Sequence, residues 1–549
     1  VKGVKMMSKK YKILAICLAL IMVVSLAACT SSDGSADASE PGGSSSVDGS
    51  EPESPGTSDE TESFTVLTVR WTDAWPTDFL KTGIMAELEA EHNVDIDWQV
   101  YYYSDWAEQK SLLLASGNLP DAFWGSNGIL DTDIAQNSSY FIDLTDLITE
   151  NMPNLTAIFE KDSSMRAMVT TREGQILSLP KRLPLRPQVN DVMFINQTWL
   201  DNLGIDMPTT YLELQDVLRA FVTQDPNGNG INDEYGYSYR QSLETDLRHI
   251  MSSFGTQVSR QNNFMGMIDD KPVFMPIHEN YYNAVQWVHE LYQEGLIDPE
   301  GFTQDASMVT AKTQDPEGAL VGIVFGWTAD AQVGVNVGDF AIVPAIAGPD
   351  GNRYVEHNPE YLDNSRNEVV VTSSCSNPAK LLQWADSFYT DEVTLQTYYG
   401  SISDGKITAN ADGTYEVLVP SDGSSLDTSA WSFSFRDFGP KYMDKAFEDN
   451  VILPSDQGDG VKLAQDSVNI AYITTTFPVV AYTAEQAMEL ASLSTTIYDY
   501  VKAQYAHWVV DGGVEEEWDD YLAQLDAMGL QELIAIQIDA YEAYISNLG

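Results

Sequence analysis

Between Asp225 and Glu234 the chain reads Asp-Pro-Asn-Gly-Asn-Gly-Ile-Asn-Asp-Glu. Oxygen-bearing side chains recur at every second position: Asp225, Asn227 and Asn229. Gly230 then permits a tight turn, Ile231 can offer only its main-chain carbonyl, and Asp233 and Glu234 close the run. A hard cation such as Ca²⁺ takes about six to eight oxygens, and alternation around a glycine turn aims them at one point. The spacing is not that of an EF-hand, because the twelfth position holds Gly236 instead of a carboxylate. A polar Asn/Gly turn that binds nothing has a similar composition. The chemistry on offer is structural, with no open position for catalysis.

Catalytic spacings are missing elsewhere. There is no G-x-S-x-G elbow, no H-E-x-x-H and no G-x-x-x-x-G-K-[ST] phosphate loop. The six histidines (His92, His249, His278, His289, His357, His507) lie far apart, and no Cys/His spacing suggests zinc. The 82 acidic residues would supply carboxylate pairs anywhere, so such pairs decide nothing for a glycosidase.

The start of the chain carries its own chemistry. Lys2, Lys5, Lys9, Lys10 and Lys12 precede an uncharged stretch from Ile13 to Ala28, and Leu26-Ala27-Ala28 leads into Cys29. A basic start, a short apolar core and small residues are the marks of an export signal. The stretch is shorter than the roughly 20 apolar residues of a membrane span. Leu-Ala-Ala-Cys resembles the lipobox of bacterial lipoproteins. That resemblance implies an acylated Cys29 as the first mature residue and a membrane anchor outside the cytoplasm. From Thr30 to Ser63 the chain is nearly all Ser, Gly, Asp, Glu and Pro. Such a segment buries too little apolar surface to offset its ordering entropy and is expected to be a disordered tether. With Cys17 and Cys29 assigned to signal and anchor, Cys375 is left without a disulfide partner.

The net charge is −53. A surface so negative repels phosphate backbones and anionic lipid, which argues against nucleic acid as a partner and leaves membrane contact to the anchor.

These residues need a scaffold. Phe64–Trp71 is β-rich, a helix is expected through Ile84–Glu91, and Val94–Tyr102 alternates as a second strand. Asp105 opens a helix that Gly117 stops, and Leu119–Trp124 enters a third strand. Strands alternating with helices argue an α/β fold with a mainly parallel sheet. Near the end, Thr483 and Gln486 form a capping-box pattern. Core stripes are expected at Ala487, Leu490, Leu493, Ile497 and Val501, then at Trp518, Leu522 and Leu525, then at Ile534, Ile538, Tyr541 and Ile545.

This order resembles the extracellular solute-binding proteins of ABC importers, specifically the family 1 sugar-binding lipoproteins. Gly174–Pro180 resembles the family's segment before the first hinge. Phe194–Leu200 with Leu203-Gly204 and Pro208-Thr209-Thr210 resembles the start of its second lobe. Gly322–Trp327 resembles an internal strand ending in an aromatic, and Ser374–Pro378 the return to the first lobe, with Ala379 where the family has Glu. Trp518–Tyr521 and Met528–Leu530 resemble the closing helices. The resemblance implies a two-lobe periplasmic-binding-protein-like (type II) fold, each lobe a sheet flanked by helices, with extra C-terminal helices. The expected organisation is 1–28 signal, 29–63 lipidated cysteine and linker, 64–190 first lobe, 191–362 second lobe with the loop 225–234, 363–405 return to the first lobe, and 406–549 mainly second lobe and C-terminal helices. The calcium loop resembles that of alginate-binding family members, which implies Asp225, Asn227, Asn229, the Ile231 carbonyl, Asp233 and Glu234 as ligands.

The implied function is capture of a carbohydrate, first an oligosaccharide, by hinge closure, and delivery to ABC permease subunits by a monomer that does no catalysis. A secreted lipoprotein glycoside hydrolase and a receptor for a membrane sensor are the alternatives. Sugars offer flat C–H faces to rings and hydroxyls to Asp, Asn and Arg. Sites form beyond the carboxyl ends of strands. That rule selects Trp71, Asp73 and Trp75 after the first strand, Trp124 and Asn127 after the third, Arg182 near the hinge, Trp327, and Trp431 and Arg436. A Trp at a strand end serves core packing about as often.

Overall fold

The computed structural model describes residues 61–549 except 184, 186, 190, 241–245, 259–262, 356–363 and 423. The expected signal 1–28, Cys29 and the tether as far as residue 60 lie outside the described residues.

The first strand, Glu62–Arg70, is buried without a break from Val66 to Arg70 because it is covered on both faces. Phe64 and Val66 enter one core, Leu67 and Val69 another on the opposite face. It pairs in parallel with Val94–Tyr102 on one side and Ala122–Trp124 on the other. The helix between the second and third strands, Tyr103–Ser116, ends where Gly117 turns to φ 69° and its N–H bonds the Leu113 carbonyl at 3.2 Å. Asn364–Val371 and Leu179–Arg182 complete a five-stranded sheet.

A second, four-stranded sheet has the order Phe340–Ile342, Val192–Asn196, Val321–Gly326, Tyr235–Tyr237. In each sheet one strand runs against the rest: Asn364–Val371 in the first, Val192–Asn196 in the second. Each is the strand by which the chain arrives from the other sheet. The fold is therefore α/β, with two sheets flanked by helices and a C-terminal helical set.

The stretch after residue 405 corrects the expected partition. Ile407–Ala409, Tyr415–Val417 and Val451–Ile452 form a small sheet, and Ile407 and Val417 pack with Tyr398 and Tyr399 of the helix Asp391–Tyr399. Phe435 enters the core of the first sheet beside Trp98 and Trp124. This stretch thus belongs with the first sheet.

Three helices close the chain. Ala484–Asp511 begins with the expected capping box: Thr483 Oγ1 accepts from Gln486 N–H and Gln486 Oε1 from Thr483 N–H. Val514–Ala527 follows, and Leu530–Asn547 ends the set. In the last helix the buried face is Leu533, Ile536, Ala540 and Ala543, not the expected isoleucine stripe; Ile545 is exposed. The stripe is rotated by about one residue, with Ile534 and Tyr541 half-buried at its margin against the same core. Leu490, Ile497 and Leu533 join the core of the second sheet, while Tyr544 also touches that of the first. Among the described residues no helix is long and apolar enough to cross a membrane.

Candidate functional site

The register of the first two strands sets Arg70 opposite Tyr102, so the residues just past them, Trp71 and Tyr103, emerge side by side. Their ring centroids lie 4.8 Å apart, and both are exposed. Trp71 also meets Phe438 at 5.7 Å, Phe438 meets Trp431 at 5.8 Å, and Trp431 stacks on Trp75 at 5.1 Å. Tyr103, Trp71, Phe438, Trp431 and Trp75 thus form a continuous aromatic ledge beyond the carboxyl ends of the strands. A depression of about 440 Å³ adjoins its Trp75 end, lined by Lys406, Asp422, Ser432 and Phe433 among others.

Arg70 holds the ledge from below. Its guanidinium donates to the carbonyls of Trp431 and Ser434. It lies 5.1 Å from the Phe79 ring and 6.0 Å from that of Trp75. Burial pushes it down to about 10. Deeper in, Lys181 Nζ is 2.8 Å from Glu368 Oε1, both fully enclosed. Glu368 Oε2 accepts from the N–H of Gly439 at 2.8 Å, and Lys441 Nζ donates to the Phe438 carbonyl at 2.5 Å. Desolvation, with Lys181 nearby, pushes Lys441 down to about 7. Gly439 sits at φ 84°, and a Cβ there would lie 2.4 Å from Trp124 Nε1. Only glycine lets the Phe438 segment lie this close.

The residues expected at a binding site divide. Trp71, Trp75 and Trp431 join the ledge, and Asp73 is exposed in the loop between the first two of them. Asn127 Nδ2 donates to the Val69 carbonyl at 2.8 Å, leaving a buried Oδ1 without a partner at the end of the first strand. Arg182 pairs with Asp162 and donates to Asn364 and Ser164, so its donors serve the sheet edge. Trp327 follows a strand of the second sheet, half-buried, with Lys462 Nζ 4.9 Å from its ring.

Two expectations are corrected. Trp124 is 1% exposed and packed among Trp98, Trp384, Phe388 and Phe435; it is core, because its strand lies mid-sheet under the helix Pro378–Asp386. Arg436 is 3% exposed, 2.9 Å from Asp459 and against the rings of Tyr398 and Tyr399; it is a buried structural ion pair. Tyr103, Phe438 and Arg70 were not selected from the sequence. Only the strand register and the return of a distant segment bring them to the site.

The loop 225–234 folds on itself. Asn227 Oδ1 accepts from Asn229 N–H, Asn229 Oδ1 from Ile231 N–H, and Asp225 Oδ2 from Gly230 N–H. Asp225 Oδ1, Asp233 Oδ1 and both oxygens of Glu234 are buried without a partner. Desolvation, followed by the charges of Asp233 and Asp225, raises the Glu234 carboxyl above its ordinary range. Among the described residues no three His, Cys, Asp or Glu side chains are grouped so as to hold a metal by themselves. The loop's amides and the Ile231 carbonyl would have to complete any coordination shell.

The family model described as bacterial extracellular solute-binding protein matches residues 73–394. The fructooligosaccharide ABC transporter substrate-binding protein FusA of Streptococcus pneumoniae serotype 4 is 30% identical over 487 residues, 84% of this chain and 87% of FusA. A structure of an S. pneumoniae FusA EF-hand mutant with fructo-nystose superposes with a TM-score of 0.74 at 28% identity, over 88% of this chain and all of that one. An HMO-binding, ABC-transporter-associated solute-binding protein from Bifidobacterium longum infantis gives 0.75 at 25% identity, over 88% and 99%.

Proposed function

The chain belongs to the bacterial extracellular solute-binding protein family, and from that premise we propose that it captures an oligosaccharide and hands it to the permease of an ABC importer. The aromatic ledge carries this reading. The exposed rings of Trp71 and Tyr103 and the half-buried rings of Trp75 and Trp431 suit the C–H faces of successive sugar units, and the polar wall beside Trp75 suits their hydroxyls. The 30% identity with a fructooligosaccharide-binding relative supports a chain of sugars as the ligand class.

Capture proceeds by closure. Ligand settles on the ledge of the first sheet, and the second sheet, with Trp327, swings in to grip it. Contacts made only when both lobes hold the ligand stabilise the closed form. The ligand leaves chemically unchanged. Cys29, following Leu-Ala-Ala, carries the lipid that anchors the protein outside the cytoplasm. The loop 225–234 holds a structural Ca²⁺: its unpartnered carboxylate oxygens fit a hard cation, and a relative of the same fold is described as an EF-hand mutant.

The test is a glycan panel by calorimetry, with solution scattering on the saturated protein. The expected result is one or more oligosaccharides bound, a smaller radius of gyration and no cleavage products. Binding without compaction removes closure, and cleavage turns the protein into a hydrolase.

A further inference from the structure

After the stretch that joins the first sheet, the chain returns to the second through the helix Gly458–Asp466. Asp459, Lys462 and Asp466 are spaced three and four residues apart, so they line up along one face of it. Each is at most 2% exposed. A buried charge holds only where a partner is placed for it. At the start of the helix the partners belong to the first sheet: Asp459 Oδ2 accepts from Tyr399 Oη at 2.7 Å and lies 2.9 Å from Arg436 Nη1. At its end they belong to the second: Asp466 Oδ2 accepts from the N–H of Val189 at 2.8 Å, and Val189 packs with Val192, Phe194 and Val324. Just beyond, Asn469 Oδ1 accepts from the N–H of Ala345 at 2.7 Å, shortly after the strand Phe340–Ile342.

Lys462 stands between these two anchorages. Its Nζ lies 3.1 Å from Asp466 Oδ1 and 4.9 Å from the centroid of the Trp327 ring. Trp327 directly follows the strand Val321–Gly326. Val189 lies on the segment by which the chain first crosses from Leu179–Arg182 to Val192–Asn196. Trp327, Lys462, Asp466 and Val189 thus form one line of contact, from a ring at the end of a second-sheet strand to a crossing between the sheets.

An ammonium over an indole is held by the ring's quadrupole, and the attraction grows when the cation is out of water. Lys462 is out of water, so the ring that keeps its contact has few positions open to it. A neutral side chain in its place would leave Trp327 packed but not aimed. It would also leave Asp466 buried without this counter-charge. We propose that Lys462 is a positioning residue for capture: it aims the Trp327 ring and, through Asp466, ties that ring to the crossing at Val189, so that grip on a ligand and movement of the two sheets are linked. The proposal rests on the closure reading, in which Trp327 grips from the second sheet. The helix is then a strut, anchored to one sheet by Asp459 and to the other by Asp466, roughly 10 Å further along its axis.

Protein carrying 5-fluorotryptophan tests the aim without ligand. The Trp327 signal is the fluorine resonance missing from Trp327→Leu. It should move in Lys462→Met, and also in Asp466→Asn, which alters the ion pair and leaves the lysine in place; Lys462→Gln replaces Lys462→Met if that variant does not fold. A signal unmoved by loss of the ammonium overturns the proposal, and one unmoved by Asp466→Asn overturns the tie to the crossing. Calorimetry with nystose tests the consequence. Affinity should fall at least about fivefold in Lys462→Met and in Trp327→Leu, and no further in the double variant, because Lys462 acts only through the ring. Lys462→Arg, which keeps a cation able to stack, should recover most of the loss. Losses that add in the double variant overturn the proposal. Solution scattering separates it from closure itself. Wild type that does not compact on saturation removes closure and the linkage with it, and the fluorine signals still decide the aim. Wild type and Lys462→Met that bind and compact equally overturn the inference and leave closure standing. Where wild type binds no nystose, the fluorine signals decide alone.

Discussion

The indoles of Trp75 and Trp431 stack on each other, 5.1 Å between centroids and 12° from parallel. Rings this close leave no room for a sugar between them, so a ligand uses their outer faces or parts them. In either event their surroundings change. Oligosaccharide should shift or quench tryptophan emission, and Trp75→Ala should remove part of that signal. Affinity should fall only about threefold in Trp75→Ala, because Trp431, held by Arg70, remains as a platform. Unaltered emission at saturation places the ligand away from the ledge.

Trp71 and Trp124 should separate binding from stability. Trp71→Ala removes an exposed ring worth about 1 kcal/mol in stacking, about fivefold in Kd, with little change in melting temperature. Trp124→Ala empties the core beside Trp384 and Phe388 and should cost about 3–5 kcal/mol. Calorimetry and thermal melts on both variants read this directly.

Lys441 gives the fold a pH dependence. Its ammonium is pushed down to about 7 by burial and Lys181, while an unfolded lysine titrates near 10.5. Between those values the unfolded chain binds the extra proton, so stability rises with pH. The unfavourable contribution is full below pH 7 and fades toward pH 10. Lys441→Met should therefore melt several degrees above wild type at pH 6, with the gap clearly narrower at pH 9. A gap that does not change with pH contradicts the assignment.

At the loop 225–234 protons and cation compete for the same carboxylates. The raised Glu234 carboxyl makes metal-free protein less strained as pH falls, whereas bound Ca²⁺ needs it ionised. Chelator should lower the melting temperature at pH 7, added Ca²⁺ should restore it, and the response should shrink by pH 5. Glu234→Gln should raise the melting temperature of metal-free protein and abolish the Ca²⁺ response. A response that survives Glu234→Gln unchanged excludes this residue as a ligand.

The strands Glu62–Arg70 and Val94–Tyr102 were legible because their patterns are local, as were the stop at Gly117 and the capping box at Thr483. The rule of strand ends picked out the loop that carries Trp71 and Trp75, and both rings lie on the aromatic ledge. Trp124 misled because a three-residue strand has no visible end in sequence, and Trp384, which covers it, comes far later. Arg436 looked like a cleft residue because its partner Asp459 lies on another segment. Phe438 and Tyr103 became site residues only through register and return. In the last helix isoleucines marked a face that the smaller Ala540 and Ala543 in fact bury.

All five strands of the first sheet are in place by Val371, yet Trp431 and Phe438 reach the ledge only afterward. A chain emerging N-terminus first therefore builds its scaffold well before its grip. Until the late segment is delivered, Trp71 and Tyr103 stand alone. A chain halted before Trp431 should therefore carry the complete first sheet and yet lack most of the aromatic ledge.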